Sequence, residues 1–211
     1  MSNPDAAFFA NLAYAAPSER QSLINQRYAS NEYTIDHRFN TDEHFAAVHK
    51  KHGHVYSGHR GTSNLDDLTT DVSLAVGNLT STDRYKRSFN AEHAVHQFYG
   101  TQNVTSVGHS LGGTLAETLA RHHGNSSIAY NPGTSPFIKD IPASQQHQRI
   151  RTEGDLISSF GSATTTQASK PTPVSDKQHR LEEKTGGYVP HAAAWKLYNA
   201  YSSHLLKQFL P

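Results

Sequence analysis

The segment Gly108-His109-Ser110-Leu111-Gly112-Gly113 limits the fold of this chain more than any other feature. A β-branched run, residues 104–107, precedes the segment, and leucines at helical spacing follow it from Leu111. A serine with glycines two positions before and after it fits a nucleophile elbow, a tight strand-to-helix turn that pushes the hydroxyl out of the sheet. The helix N-terminus offers free N–H groups to a developing oxyanion. The sequence therefore predicts Ser110 as a nucleophile, with the Leu111 N–H as one oxyanion donor.

Other classes of protein are excluded by spacing and composition. The glycines do not have the G-x-G-x-x-G spacing, and no GKS/T follows them, so a nucleotide-binding turn is not expected. The 211 residues contain no Cys, which excludes disulfides, thiol catalysis and Cys-ligated zinc. Lys and Arg number 19 against 18 Asp and Glu, so we expect no nucleic-acid partner. No apolar run approaches the roughly 18 residues of a transmembrane segment, and no signal peptide is evident. We therefore expect a cytoplasmic or particle-associated protein.

The hydrophobic pattern predicts a single α/β domain over residues 1–211, with a mostly parallel central sheet flanked by helices. The first 30 residues predict a helical lead-in, in which Ser18-x-x-Gln21 resembles a capping box for a second helix. The Ser/Thr/Gln/Pro-rich stretch 158–175 predicts a surface loop or mobile flap. Helices are expected near 65–76, 91–99 and 111–122 and from 192, and strands near 33–39, 45–49, 54–58, 104–107, 128–130, 148–152 and 179–184.

A serine nucleophile needs a general base, and the base needs a carboxylate that orients it. In this fold the three residues follow the chain order Ser, Asp or Glu, His. Asp140, Asp155 and Asp176 all follow Ser110. We favour Asp155, because it comes after a strand-like run with Gly154 as the turn residue.

Two histidines near the C-terminus are candidates for the base. His191 follows Pro190 at the start of a helical run, and His204 opens the segment 204–210. If one helix runs through both positions, the two histidines are 13 residues and therefore about 20 Å apart along its axis, so only one of them can be the catalytic base. A helix break at the N-cap candidates Ser202-Ser203 would free His204 to face the site.

The GHSLGG core, continued by Thr114-Leu115-Ala116, resembles the class 3 (fungal-type) lipase family, an α/β-hydrolase branch with compact microbial and viral members. The resemblance runs from about residue 55 to the C-terminus. His59-Arg60-Gly61-Thr62 is similar to the family's R-G-S/T segment, which implies Thr62 as the second oxyanion donor. Asn131-Pro132-Gly133 resembles the loop after the next strand, and residues 151–158 resemble the strand that ends in the triad aspartate. Residues 203–210 resemble the terminal H-x-L-x-x-F arrangement, which favours His204 as the base over the alternative His191.

The resemblance implies a serine carboxylic-ester hydrolase of the lipase or phospholipase type, which would act in lipid degradation. It implies a catalytic triad of Ser110, Asp155 and His204, an oxyanion hole of Thr62 and Leu111, an acyl-enzyme intermediate and no cofactor. The expected partner is a lipid or another acyl ester, with transient contact to a membrane surface. The competing hypothesis is a catalytically inactive lipase-like module with a binding or structural role, for example in a virus particle.

Histidine is unusually frequent, with 15 residues. Five of them lie between positions 44 and 59, and His93-x-x-His96 and His122-His123 form pairs. No H-E-x-x-H or comparable metal-binding sequence accompanies them. We therefore expect exposed or core histidines and no metal site.

Overall fold

The computed structural model describes residues 4–28, 32–62, 79–133, 144–152 and 165–167. Four α-helices and seven strands lie within these ranges. The helices are α1 (Pro4–Leu12), α2 (Arg20–Arg27), α3 (Asp83–Tyr99) and α4 (Leu111–His123). The strands are β1 (Tyr33–Ile35), β2 (His44–His49), β3 (Val55–His59), β4 (Val104–His109), β5 (Ser126–Tyr130), β6 (His147–Thr152) and β7 (Thr165–Gln167).

The seven strands form one sheet in which spatial order follows chain order from β1 to β7. The first three strands are antiparallel neighbours, and β2 and β3 form the predicted hairpin. From β3 to β7 all neighbours are parallel. Two crossovers, β3–α3–β4 and β4–α4–β5, connect neighbouring parallel strands and move along the sheet in the same direction. Because such crossovers have the same handedness, α3 and α4 lie on the same face of the sheet. This mixed, mainly parallel sheet flanked by helices confirms the predicted α/β-hydrolase fold.

Side-chain alternation along the strands gives the sheet two different faces. The α1 face carries large apolar side chains and packs against α1, where Phe9 is fully buried between Tyr33 and Tyr56. The α3 face carries smaller and polar side chains beneath α3 and α4. The α1 face comprises Phe45, Ala47, Tyr56, Val107, Ile128, Tyr130 and Ile150, and the α3 face includes His44, Ala46, Val55, Ser57, His59, Val104 and Ser106.

Capping groups determine where the two crossover helices begin and end. α3 begins after Thr82, whose hydroxyl accepts a hydrogen bond from the Tyr85 N–H at 3.1 Å. It ends at Gly100, whose φ of 80° favours glycine. The helix therefore begins eight residues before the predicted start at position 91, because charged and polar residues hide the helical pattern of its N-terminal half. α4 ends at Gly124, in the left-handed conformation.

Three further predictions are corrected. Ser18-x-x-Gln21 is not a capping box: α2 begins at Arg20, and the Gln21 side chain instead accepts the Ile35 N–H at 2.8 Å, tying α2 to β1. The strand predicted over 33–39 ends at Ile35, because Asp36 caps a 3-10 turn. β7 forms within the stretch expected to be a loop or flap.

Three predicted elements lie outside the described residues: the helix near 65–76, the strand near 179–184 and the helix from 192.

Candidate active site

Ser110 lies at a sharp turn between the end of β4 and the start of α4. Its backbone has φ 56° and ψ −129°, a conformation that is unfavourable for a residue other than glycine. Hydrogen bonds hold this turn on both sides: the Ser110 N–H donates to Tyr130 O at 3.0 Å, and the Gly133 N–H donates to Ser110 O at 3.3 Å. The strand, strained turn and helix expected from the GHSLGG segment are therefore all present.

Two glycines allow β3, β4 and α4 to approach one another at this turn. A Cβ on Gly108 would overlap the backbone of Gly112, and a Cβ on Gly112 would overlap His59 O and lie 2.8 Å from Gly61 N. These neighbours are backbone atoms, so they cannot move aside as a flexible side chain can. Glycine is thus required at both positions for a steric reason.

The Ser110 hydroxyl has no role in capping the helix that it precedes. Serine at an N-cap position ordinarily accepts a hydrogen bond from a backbone N–H of the first turn. Ser110 occupies the N-cap of α4, yet its side chain makes no capping hydrogen bond. Its Oγ is fully buried and has no hydrogen-bond partner within the described part of the chain. The serine is held in a strained conformation without the stabilisation that an N-cap would supply.

The segment that contains Thr62 passes beside the Ser110 turn. A Cβ on Gly61 would lie 2.6 Å from His109 O and 3.4 Å from Gly112 N, so the backbone of Gly61 contacts both sides of the turn. Thr62 is the next residue and is half-buried, as is Leu111 at the first position of α4. The two predicted oxyanion residues thus flank the same turn.

Tyr14 also contacts this turn, although no sequence motif pointed to this residue. Its hydroxyl lies 3.0 Å from His109 Nδ1, 95 residues away in the chain, and packs against Gly61. Burial raises the pKa of Tyr14 far above its usual value, while the positive charges of Arg60 and Arg84 lower it less strongly. The neutral hydroxyl therefore joins the N-terminal helical region to the end of β4.

The loop after β5 connects the turn to the end of β6. Asn131 is fully buried with φ 40°, and its N–H donates to Ile150 O at 2.9 Å. Its Oδ1 accepts the Thr152 N–H at 2.8 Å, which fixes the last residue of β6. Thr114 of α4 donates through its hydroxyl to Gly133 O at 2.9 Å. The loop that the sequence singled out at 131–133 is therefore held between the Ser110 turn and β6.

The remaining predicted site residues, Asp155, His191 and His204, lie outside the described residues. Asp155 comes three positions after Thr152 in the chain. Within the described residues no helix is long and apolar enough to cross a membrane.

Comparisons with known proteins identify similar structures but no family. No protein-family model matches the sequence, and no curated protein matches it. Lip2 lipase from Yarrowia lipolytica is 17% identical, with a TM-score of 0.49 over 79% of this chain and 77% of that one. A nonglycosylated form of Lip2 from the same organism is also 17% identical, with a TM-score of 0.46 over 79% of this chain and 78% of that one. The extracellular lipase LipA from Serratia marcescens is 15% identical, with a TM-score of 0.47 over 91% of this chain but only 39% of its own length. At these values the similarities carry no argument about substrate or mechanism.

Proposed function

We propose that this protein is a serine hydrolase of carboxylic esters, with Ser110 as the nucleophile. The observation that carries the proposal is the strained backbone of Ser110 between β4 and α4, combined with a hydroxyl that does not cap its helix. Strain of this kind is retained where the surrounding structure enforces it, and it is concentrated at functional sites. The α/β-hydrolase fold places nucleophilic serines at such a turn.

In the proposed reaction a histidine accepts the proton of the Ser110 hydroxyl while Oγ attacks the acyl carbonyl carbon. The Leu111 N–H and Thr62 stabilise the resulting oxyanion. The intermediate then expels the alcohol, which takes the proton from the histidine, and the acyl-enzyme remains. Water hydrolyses the acyl-enzyme with the same histidine as base, which releases the acid and restores Ser110.

Asp155 and His204 are the proposed partners of Ser110, with His191 as the alternative base. The position of Thr152 supports Asp155, because Asn131 ties the end of β6 to the loop beside Ser110 only three residues before this aspartate. A carboxylate at the carboxyl end of a parallel strand is suited to orient the histidine. The resemblance of 203–210 to the H-x-L-x-x-F arrangement supports His204.

Lipid esters are the proposed substrates, as in a lipase or phospholipase. The likeness of the segments around Ser110, Thr62 and Asn131 to class 3 lipases supports this substrate class, and the enzyme would then contact a membrane or lipid surface transiently. In this proposal the whole chain, residues 1–211, forms the single catalytic domain.

Hydrolysis of a series of p-nitrophenyl esters with short to long acyl chains tests the proposal. We expect Ser110→Ala to lower kcat/KM by about a thousandfold or more. Ser126→Ala, which alters an exposed serine on β5, should have no effect. His204→Ala and His191→Ala then identify the base, since only one should match the loss in Ser110→Ala. Turnover by folded Ser110→Ala at the wild-type rate would contradict the proposal, and hydrolysis of no ester by the wild type would favour the inactive binding module.

A further inference from the structure

A buried cluster of metal-binding side chains lies on the α3 face, between β2, β3 and α3. Glu92 of α3 is completely buried, and so, to within 1% exposure, are His44 of β2 and His59 of β3. The Nε2 atoms of these histidines lie 3.6 and 3.0 Å from the same carboxylate oxygen, Glu92 Oε2. Side chains from three separate elements thus converge on one point.

We propose that His44, His59 and Glu92 bind one Zn²⁺ ion. Two imidazole nitrogens and a carboxylate oxygen are an established donor set for zinc. With metal–ligand bonds of about 2.0–2.2 Å, neighbouring ligand atoms of a tetrahedral site lie about 3.3–3.5 Å apart. The two measured separations bracket this value, and all three donor atoms lie within 4.8 Å of one another. The third separation, between the two imidazole nitrogens, is no more than 4.8 Å, and the rings would move closer together to complete the site.

Ser57 lies beside the proposed ligands as a hydrogen-bonding partner. Its hydroxyl oxygen lies 2.7 Å from His44 Nε2, and it donates a hydrogen bond to Glu92 Oε2. It is fully buried on β3, in register with Ala46 of β2. The Ser57 oxygen therefore adjoins two of the three proposed ligands and can orient them through hydrogen bonds, while the fourth coordination position would be left to water.

The charge of the cluster favours a cation. A buried carboxylate is costly unless its charge is compensated. Among the described residues, the hydrogen-bond and ion-pair partners of Glu92 are imidazoles and serine hydroxyls, with no Lys or Arg. Imidazoles and hydroxyls carry no permanent positive charge, so a divalent ion bound here would compensate the charge of the carboxylate.

The surroundings of the ligands define the expected affinity. Nδ1 of His44 and of His59 has no hydrogen-bond partner within the described residues. Zinc-binding histidines ordinarily donate this second N–H, and the loss of such a partner weakens binding about 10–100-fold. We therefore expect weaker binding than at a structural zinc site with a complete outer shell. A pocket of about 420 Å³ lies beside His44, and Asp42, Glu43 and Arg87 also line it.

The proposed ion would stabilise the fold and would not take part in ester hydrolysis. It would join β2, β3 and α3 on the side of the sheet where the α1 helix does not pack. His59 is followed by Arg60, Gly61 and Thr62, so the ion would also fix the end of β3 that leads to the proposed oxyanion residue. The site can be tested without measuring activity.

Titration of the chelator-treated protein with Co²⁺ tests the proposal, because tetrahedral Co²⁺ absorbs strongly in the visible range. We expect one equivalent to produce this absorption and to raise the unfolding temperature, and Zn²⁺ to displace it. His59→Gln should weaken Co²⁺ binding at least tenfold, whereas His93→Gln, on the exposed side of α3, should not. No tetrahedral absorption in the wild type, or equal binding by His59→Gln, would overturn the proposal.

X-ray absorption of the zinc-loaded wild type provides a second test that needs no variant, should His59→Gln fail to fold. We expect two imidazoles and a remaining shell of oxygen atoms. A shell with one imidazole or none would overturn the proposal.

Discussion

The two faces of the sheet are stabilised in different ways, although the same strands supply both. On the α1 face, aromatic rings around Phe9 exclude water, and the stabilisation scales with the apolar area that they bury. On the α3 face, two buried carboxylates organise the packing: Glu92 accepts four hydrogen bonds, and Glu117 binds two arginines. Apolar burial is non-directional, whereas hydrogen bonds to buried charges require defined geometry. The α3 face is therefore suited to hold the Ser110 turn and the proposed metal site in fixed positions.

The largest expected effect is on the α1 face. Phe9→Ala removes a fully buried ring that packs on Tyr33 and Tyr56, so we expect a loss of about 3–5 kcal/mol in the free energy of unfolding. Phe98→Ala is the matched control, because that ring is 56% exposed, and should cost less than about 1 kcal/mol. Urea unfolding measures both. Equal losses would contradict an α1 face held together by apolar burial.

The next largest effect is expected at one of two arginines on the α3 side that bind the same carboxylate, Glu117. Arg149 Nε lies 2.6 Å from Glu117 Oε2 and is 11% exposed, whereas Arg121 is 23% exposed and binds Oε1 at 2.8 Å. Arg149→Met should cost about 2–3 kcal/mol, because it leaves a buried carboxylate with one partner. Arg121→Met should cost less than about 1 kcal/mol. Urea unfolding of the two variants decides this, and a larger loss in Arg121→Met would be inconsistent with the account.

A smaller effect is expected where the N-terminal region meets the Ser110 turn. Tyr14→Phe removes the hydroxyl next to His109 Nδ1, so stability should fall by about 1–2 kcal/mol. The rate of ester hydrolysis should fall too, because Tyr14 also packs against Gly61, beside the proposed oxyanion residue. Tyr28→Phe is a suitable control, since its hydroxyl binds Asp5 and does not contact the turn. If the two variants hydrolyse esters at the same rate, Tyr14 does not position the site.

The smallest effect concerns the pH dependence of the α3 side. Burial, followed by the nearby rings of His96, His122 and His93, lowers the pKa of His123 to about 4, while Glu92 opposes the shift. In the unfolded chain His123 becomes protonated near pH 6.5. The contribution of the neutral ring to the free energy of unfolding is therefore complete above that pH and is lost as the pH falls toward 4. Because the ring is partly exposed, we expect a loss of about 1 kcal/mol. In His123→Gln, the decrease in the free energy of unfolding between pH 6.5 and 4 should be smaller by that amount. An unchanged pH profile would exclude His123 as the cause.

The sequence predicted the order of helices and strands well where the hydrophobic period was clear. The β2–β3 hairpin, β4, α4 and β5 were each located to within two residues. β7 was missed because its three residues, Thr165–Gln167, are polar and have no periodicity. The first half of α3 was missed because charged residues hide its helical pattern, and its start depends on the Thr82 cap.

The candidate site was predictable only where local sequence determines it. Ser110 was identified because the strand, glycines and helix of the elbow are contiguous in the chain. The roles of Tyr14 and Glu92 depend on contacts between residues far apart, such as His59 with Glu92, which no local pattern encodes. Asp155, His191 and His204 remain predictions.

Covalent labelling with a fluorophosphonate probe tests the central claim, an activated nucleophile at Ser110, most directly. Because the Ser110 hydroxyl is buried, the wild type should be probed with and without lipid vesicles, alongside folded Ser110→Ala and Ser126→Ala. Intact-mass measurement should show one adduct on the wild type and on Ser126→Ala and none on Ser110→Ala. An equal adduct on Ser110→Ala, or none on the wild type under either condition, would contradict the assignment of Ser110 as the nucleophile.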